Sequence, residues 1–430
     1  MRRSLLSYLT GLTILLLLPA SSLLAQTSTL SPYSRFGVGE LLFSGTSYQK
    51  GMGGTSIGMQ SENHLNFNNP ASYSNDTLTI LEFGVDAEYV KLSQAGRTSK
   101  LKNSNLNSLA IGFPLIKHKM GMTFGFIPYS GTGYEVRTQQ QLDSVTSYKS
   151  QYSGTGGFTR YFVGTGLNLG KYFAAGVNAS YLFGTTDNTR RVEYTTTNLI
   201  NNKYVDELTL SSFYFEFGLN WKYDTGNKYK HKMKYVVGLT GAPAQSINAK
   251  RSELWENYTT RGSILEYIKD TVLYTSDVRG DVVLPARIGL GFSVSSDDKW
   301  VIGGDFNYQD WSSYKSYGQK DSLNNSFRIS LGAQLTPDSK SFTYFKRVSY
   351  RLGAYFGQTY LDLNNTKILD YGLSTGVSFP MRKSNQSMIS FAFEAGQRGT
   401  TDNNLLKEQY LRLSIGLTFN EVWFKKQKFD

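Results

Sequence analysis

The stretch FYFEFGLNWKY, residues 213–223, alternates between apolar and polar or small side chains almost without a break. The odd-numbered positions are Phe213, Phe215, Phe217, Leu219, Trp221 and Tyr223, and the even-numbered ones are Tyr214, Glu216, Gly218, Asn220 and Lys222. Successive side chains of a β-strand point to opposite faces, so the segment predicts a strand with one face suited to hydrocarbon and one suited to water. One such strand also fits a soluble β-sandwich, which has one dry face.

Repetition of this pattern favours a transmembrane barrel. Residues 173–183 and 411–419 alternate in the same way, and segments of roughly 9 to 11 residues with aromatic ends are typical of outer-membrane strands. The sequence contains 42 Gly, 30 Tyr and 26 Phe but only 9 Pro, a composition that favours one large barrel over two or three soluble domains. The predicted strands lie near residues 77–92, 104–115, 119–137, 157–169, 172–185, 209–223, 233–245, 281–295, 299–314, 326–336, 347–359, 369–380, 387–397 and 409–423. We therefore predict an all-β, antiparallel transmembrane barrel of about 14 strands.

The connections between these strands predict the orientation. Short turns follow even-numbered strands, whereas the long stretches 186–208 and 246–280 follow odd-numbered ones, so both termini are expected in the periplasm. The second long stretch contains SELWENYTTRGSILEYIKD, which has a weak helical spacing. It is interpreted either as a short lid helix or as the core of an ordered loop.

The N-terminus has the features of a secretion signal. Arg2 and Arg3 precede an apolar run that is too short to span a membrane, and Ala25 offers a cleavage point, so residues 1–25 are expected to be removed. The chain has no cysteine, which excludes disulfides and a lipoprotein anchor. The net charge is +12, but the sequence contains no stripe of basic residues with interleaved aromatic ones. We therefore expect no nucleic-acid partner, and we expect the charge to attract anionic lipid head groups, including lipopolysaccharide.

A glycine-rich and then asparagine-rich segment precedes the first strand. A barrel of this size encloses a lumen that side chains alone do not fill, and residues 26–76 are predicted to plug it as a hatch. Glycine permits tight turns, proline fixes one φ angle, and asparagine pairs with free backbone groups. The residues concerned are Gly51, Gly53, Gly54, Asn69, Pro70 and Ala71. A static cork and a plug that rearranges are both compatible with this composition.

These residues resemble the N-terminal hatch of the FadL/TodX family, outer-membrane transporters of long-chain fatty acids and other hydrophobic compounds. A second match is LPARIGLGFSV followed by DFNYQDWSSYK, which contains Pro285, Asp305, Trp311 and Ser312. The resemblance covers most of residues 26–424, with a barrel at 77–424 and a periplasmic tail at 425–430. The segments SPYSRFGVGEL and NEVWFKKQKFD depart from the family pattern and resemble variants in outer-membrane proteins of Bacteroidetes. The resemblance implies passive transport of a hydrophobic small molecule such as a fatty acid, captured by the extracellular loops, without a cofactor.

An apolar ligand gains little by entering water, so release sideways into the bilayer needs a break in the wall. The third predicted strand contains Pro128, Gly131 and Gly133, where proline lacks a donor and glycines mark bulges. An inward kink in the third strand is the site of lateral opening in the family that the chain resembles. The alternative is that Pro128 ends the membrane part of the strand.

Three arginines are expected to face the outer half of the lumen. Alternation turns Arg287, Arg328 and Arg412 inward, with Arg351 lower down, and a guanidinium suits bidentate capture of a carboxylate. The alternative, which is slightly favoured, is that they pair with hatch acids such as Glu40, Glu62 or Asp76, or with Glu216 on the wall.

Other classes of function have less support. The three histidines, His64, His118 and His231, form no pair with a nucleophile and no metal cluster, so we expect neither an enzyme nor a metal site. A hatch disfavours a water-filled porin. A FadL-like barrel that acts as an anchor or shuttle component of protein secretion remains an alternative, since a lumen filled by the hatch would support it. No feature demands more than a monomer.

Overall fold

The computed structural model describes residues 29–142, 146–196, 199–226, 232–261, 265–296, 299–381 and 384–423. The predicted signal peptide, the tail at 425–430 and His231 lie outside these residues. The strands are β1 (Glu40–Leu41), β2 (Thr79–Gln94), β3 (Arg97–Ile116), β4 (Met120–Gly131), β5 (Tyr134–Gln141), β6 (Ser147–Leu169), β7 (Phe173–Tyr194), β8 (Asn201–Asp224), β9 (Met233–Ala242), β10 (Gln245–Arg261), β11 (Leu265–Leu284), β12 (Arg287–Ser296), β13 (Trp300–Gln309), β14 (Lys315–Ser316), β15 (Gln319–Lys320), β16 (Ser326–Leu335), β17 (Ser349–Leu363), β18 (Thr366–Met381), β19 (Ser384–Arg398) and β20 (Lys407–Glu421). One helix, α1 (Ser47–Lys50), and short 3-10 helices at Pro32–Arg35, Pro70–Asn75, Trp311–Ser313, Tyr344–Arg347 and Asp402–Asn404 complete the elements that the described residues form.

The strands form a closed antiparallel barrel of fourteen wall positions among the described residues, which confirms the predicted fold. Three positions consist of two strands in line: β4 with β5, β9 with β10, and β11 with β12. The cylinder closes between β2 and β20, from the pair Thr79 and Glu421 to the pair Ser93 and Lys407. Strand β1 lies inside the barrel, and β14 and β15 form a small hairpin at the rim.

Burial follows the alternation in the sequence. On β8 the side chains of Phe213 and Phe217 are 63% and 51% exposed, whereas Tyr214 and Glu216 are buried. The exposed row consists of large apolar side chains that a bilayer would cover, and the buried row faces the lumen.

We call the end that carries the turns at residues 117–119 and 170–172 the proximal end, and the opposite end the distal end. β20 ends at the proximal end, whereas the described chain begins near the distal rim: Ser31 donates to Glu408 (2.6 Å), and the Tyr33 hydroxyl donates to the Leu406 carbonyl. The expectation that both ends of the chain lie at one end of the barrel is therefore wrong for the described residues. The hatch, here residues 29–76, instead descends through the bore and joins β2 at the proximal end.

The prediction of long loops at residues 186–208 and 246–280 is wrong. Residues 186–194 and 201–208 belong to β7 and β8, which continue past the rim, and the stretch 246–280 is an antiparallel hairpin of β10 and β11. The described residues of that stretch, 246–261 and 265–280, form neither a lid helix nor a loop core. Register shifts near Arg251, Trp255 and Asn257 break the period of two in this hairpin and leave an irregular apolar spacing in the sequence.

Four predicted strands also need correction in detail. The strand predicted at 233–245 extends across the break at Pro243 and Ala244, and the one predicted at 281–295 is interrupted at Pro285 and Ala286. The strand predicted at 119–137 is interrupted at Thr132 and Gly133, between β4 and β5. The strand predicted at 299–314 ends at Gln309, because residues Trp311–Ser313 form a 3-10 helix.

Placing an arginine on the outer face of β8 tests the bilayer assignment. Phe217→Arg should lower the free energy of unfolding by about 2 to 4 kcal/mol, because an arginine near the middle of the bilayer has to leave water. The measurement is denaturant unfolding in lipid vesicles, followed by tryptophan fluorescence. Val205→Arg is the matched control, because Val205 lies on the same face of β8 but beyond the rim, and it should cost about 1 kcal/mol or less. Equal costs at both positions would contradict the assignment.

Candidate functional site: a hatch-lined cavity beside a break in the wall

The ladder between β3 and β4 stops part of the way up the barrel. It runs from Ile116 and Met120 to Leu109 and Phe126. Beyond this point β3 pairs only with β2, whereas β4 and β5 stay paired with β6. The wall therefore has a gap in its distal half, and the gap begins two residues before Pro128.

The hatch fills part of the edge that β3 leaves. Strand β1 pairs with β4, with Glu40 opposite Gly131 and Leu41 opposite Ser130. The Ser130 hydroxyl donates to the Val38 carbonyl (2.7 Å). Gly133, in the break between β4 and β5, donates its N–H to the Ser34 hydroxyl (3.0 Å). All three residues predicted at a lateral opening thus lie at the gap, where the bond partners of Gly131 and Gly133 come from the hatch rather than from β3.

The hatch lies directly against inward-facing glycines of the wall, with its backbone at some positions and its side chains at others, and we call these glycines the glycine belt. A methyl group at any of these positions would meet a hatch atom within 3.0 Å. The belt consists of Gly112, Gly121, Gly164, Gly166, Gly176, Gly218, Gly238, Gly289, Gly291, Gly332, Gly353, Gly376 and Gly416. Because these glycines lie on strands all around the barrel, the hatch fills the bore at their level.

The predicted hatch residues make this close contact possible. Gly53 and Gly54 have φ angles of +69° and +87°, which favour glycine, and the Gly53 N–H donates to the Ser374 hydroxyl (2.8 Å). The Asn69 amide donates to the Ile57 carbonyl and to the Asn220 side chain, both at 2.8 Å, and its oxygen accepts from the Ala71 N–H (3.1 Å). Pro70 then starts the 3-10 helix, and Gly51 rests against Gly376.

The residues of the second sequence match have separate structural roles. The Asp305 carboxylate accepts from the backbone N–H groups of Ser56 (2.6 Å) and Ile57 (2.9 Å), so it anchors the hatch to β13. Trp311 is buried and stacks on Tyr360 at 4.4 Å. Ser312 donates to Asp310 (2.6 Å), and Pro285 lies in the break between β11 and β12. The role of Asp305 could not be recognised from the sequence, because its spacing along β13 does not indicate that its partner is the hatch.

The candidate arginines all have acidic neighbours. Arg287 donates to Glu216 (2.6 Å), which also binds Arg160. Arg412 forms ion pairs with both Glu88 (2.7 Å) and Glu394 (2.9 Å). Arg328 has a looser ion pair. Its guanidinium nitrogen lies 3.8 Å from a carboxylate oxygen of Asp370, and its Cζ atom lies 3.8 Å from the centre of the Tyr355 ring.

Two more cations of the lumen complete the network, and neither was singled out from the sequence. Arg398 contacts Glu40 (2.6 Å) of the hatch, and Lys50 of the hatch binds Asp86. Arg351 has polar neighbours instead, Gln334 (2.8 Å) and Ser378 (2.7 Å). Of the three hatch acids proposed as partners, Glu40 is paired with a lumen arginine.

Above the belt lies a cavity of about 250 Å³. Hatch residues form its floor at Gly54 and Ile57 and part of its upper wall at Tyr33. Aromatic side chains line much of the rest: Phe43, Tyr129, Tyr214, Tyr308, Phe327 and Tyr360. Arg287 and Arg328 reach it too, whereas Arg412 does not.

A second cavity of about 80 Å³ adjoins the first. Both touch the hatch residues Leu41, Leu42 and Phe43, and the smaller one extends to Leu106 and Pro128 at the edges of the gap. The larger cavity is therefore separated from the break in the wall by one short hatch segment.

The described residues offer little for catalysis. His64 stacks on Tyr48 at 4.3 Å, and burial together with the charge of Arg351 lowers the pKa of His64 to about 3, so it is neutral at physiological pH. His118 lies in the turn after β3. Within the described ranges no group of three or more acidic or histidine side chains is arranged to hold a metal ion. Nor does any helix there have the length and apolarity to cross a membrane.

Comparisons with known proteins agree on the architecture. The family model described as BamG matches residues 9–430. The toluene transporter TodX of Pseudomonas putida is 13% identical with a TM-score of 0.57, over 90% of this chain and 100% of its own. The Ralstonia pickettii toluene transporter TbuX is 12% identical with a TM-score of 0.56 (88% and 99%), and a Pseudomonas aeruginosa FadL homologue is 10% identical with a TM-score of 0.55 (89% and 99%). At these identities the likeness shows a shared FadL-type fold. None of the curated proteins compared with the chain matches it.

Removing Glu216 should expose the cost of the buried network. Glu216→Gln leaves Arg160 and Arg287 without a full counter-charge and should lower the free energy of unfolding by about 3 to 5 kcal/mol. Denaturant unfolding in vesicles measures the change. Glu135→Gln, at the exposed pair with Arg137, should cost about 1 kcal/mol or less. A cost at Glu216 no larger than at Glu135 would show that the network is not structural.

The glycine belt predicts that the hatch seals the bore. In the double variant Gly176→Ala and Gly218→Ala, new methyl groups would overlap Pro70 and Asn69, so the hatch should shift and open a conducting path. Ion conductance in planar bilayers should rise from near zero to steady openings. Gly241→Ala is the control, because its methyl group would meet only the Arg287 carbonyl oxygen, at 3.1 Å. A double variant that stays as sealed as the parent would contradict the close seating of the hatch.

Proposed function

We propose that this chain, which belongs to the BamG family, carries small hydrophobic or amphipathic molecules across the outer membrane and releases them sideways into the bilayer. The observation that supports this most is the position of the aromatic-lined cavity, one hatch segment away from the gap between β3 and β4. A ligand would be captured at the distal end, held in the cavity and passed to the gap when β1 leaves β4.

The lining of the cavity indicates the chemistry of the ligand. Its aromatic side chains suit an apolar body, and pockets for small molecules are mostly apolar with a few polar groups that fix orientation. TodX and TbuX, which share the fold, are described as toluene transporters, and a ligand of that size suits a cavity of about 250 Å³. Arg328 is the strongest candidate for a polar contact, because its ion pair with Asp370 is long. Arg412 is a structural residue, held by two carboxylates.

The glycine belt favours the sideways route over passage along the bore. Below the cavity the hatch backbone touches the wall on most sides, so movement straight through would require the whole segment to leave. Release at the gap requires a shorter segment to move: the pairing of Glu40 and Leu41 with β4 has to break, together with the neighbouring hydrogen bonds from Ser130 to Val38 and from Gly133 to Ser34.

A second candidate function is a non-transporting barrel that anchors partner proteins, as in protein secretion. The close seating of the hatch favours it, because such a bore is permanently shut. The edges of the gap favour it as well: Lys102 and Ser104 on β3 and Arg137 and Gln139 on β5 are polar and exposed, which suits a hydrocarbon poorly.

A reversible lock on the hatch strand tests the transport proposal. Leu41 and Ser130 are direct partners on β1 and β4, and the chain has no cysteine of its own, so Leu41→Cys with Ser130→Cys gives one defined disulfide. The oxidised variant should lose uptake of radiolabelled toluene and of a fluorescent long-chain fatty acid in cells, and a reducing agent should restore it.

The matched control is the pair Val294→Cys with Ile302→Cys, which joins β12 and β13 far from the gap. Its uptake should be the same in both redox states. Uptake that continues in the locked Leu41–Ser130 variant would overturn release through this gap. A parent protein that transports neither compound would favour the anchoring role.

A further inference from the structure

The outer face of the barrel carries an apolar groove across β17, β18, β19, β20 and β2. Its walls are Leu352, Leu373, Phe393, Leu411 and Leu413, and small side chains such as Ala87 and Ala395 form its floor. Its volume is about 730 Å³. Since bulky side chains surround small ones here, the groove has the shape of a seat for hydrocarbon chains.

Lysines stand at the distal edge of the groove. Lys102 lines it and lies opposite Tyr89 on the neighbouring strand. Two residues closer to the rim, on the same outer face, Lys100 lies opposite Lys91. The outer face therefore changes from leucine to tyrosine to lysine toward the distal end, which is the order of hydrocarbon, interface and head group in a bilayer.

Among the described residues, these lysines have no acidic partner. None of Lys91, Lys100 and Lys102 makes an ion pair with a residue in the part of the chain that the structure describes. The outer face of β7 and β8 differs: it carries Asp187 opposite Glu207, and its two cations, Arg191 opposite Lys203, both contact Glu266. Three positive charges without an ion-pair partner among the described residues thus lie directly next to the groove.

We propose that this groove and the lysine cluster Lys91, Lys100 and Lys102 form a binding site for a phosphorylated lipid with several acyl chains, the chemistry of lipid A in the outer leaflet. The acyl chains lie in the groove, and the phosphates meet the three ammonium groups. Apolar contacts and charge neutralisation act together, because each lysine near an anionic lipid surface contributes on the order of a fivefold change in affinity. The site lies on the lipid-facing side of the wall, so it does not depend on transport through the lumen.

The site also follows the edge of the gap. Lys100 and Lys102 lie on the part of β3 that, within the described residues, pairs with β2 on one side and with no strand on the other. A phosphorylated lipid bound here would cover the outside of that edge, which no neighbouring strand covers.

Native mass spectrometry of the full-length protein with bisphosphorylated lipid A tests the proposal. The triple variant Lys91→Gln, Lys100→Gln and Lys102→Gln should bind the lipid at least about tenfold more weakly. The double variant Ala87→Phe and Ala395→Phe fills the floor of the groove and should weaken binding to a similar extent without any change in charge. The control triple Lys149→Gln, Lys269→Gln and Lys320→Gln removes the same charge from exposed sites elsewhere in the distal half and should bind as the parent does.

Two further ligands complete the test. Dephosphorylated lipid A should bind about as weakly to the parent as lipid A binds to the lysine variant. Inorganic phosphate alone should not compete at millimolar concentration, and competition by it would reduce the site to a simple anion site. Equal binding of lipid A by the parent and by both site variants would overturn the proposal, as would an equal loss in the control triple.

Discussion

The contact on which this structure depends is that between the backbone of the hatch and the inward glycines of the wall. A barrel of fourteen strands leaves a bore that its own side chains do not fill, and a second layer of chain fits only where the wall presents no Cβ atoms. The glycines at Gly176, Gly218 and Gly353 provide that room, and Asp305 and Asn69 supply hydrogen bonds across it. The position of the cavity, the upper limit of the plug and the state of the wall gap all follow from this seating.

Charge in the lumen follows the same logic. A charge removed from water needs a counter-charge or several hydrogen bonds, and the lumen supplies both. Two of these partners belong to the hatch itself: Glu40 pairs with Arg398, and Lys50 pairs with Asp86. Because Glu40 also lies on β1 at the gap, the ion pair and the strand pairing that covers the gap share a residue. Any movement of β1 therefore changes the electrostatics of the cavity.

The barrel could be predicted well from the sequence, because the alternation that indicates each strand is a local pattern. Alternation on β8 and β20 can be seen within eleven residues, and it placed the apolar faces correctly. The extension of β10 and β11 was missed because bulges shift the period within each strand. The glycine belt was not recognised, since a glycine on the polar face of a strand has the same pattern whether it faces water or another backbone. The partners of Arg287 and Arg412 depend on the register between distant strands, and no short segment encodes that register.

The path of the hatch through the bore has a topological consequence. Its leading end lies near the distal rim, while its trailing end is tied to β2, whose other edge zips to β20 and seals the cylinder. In such a chain the segment that fills the bore has to be in place before the wall closes around it. Because the hatch precedes every strand of the wall in the chain, it has to lie inside the forming cylinder before β2 and β20 pair, so folding is complete only when these two strands have joined around it.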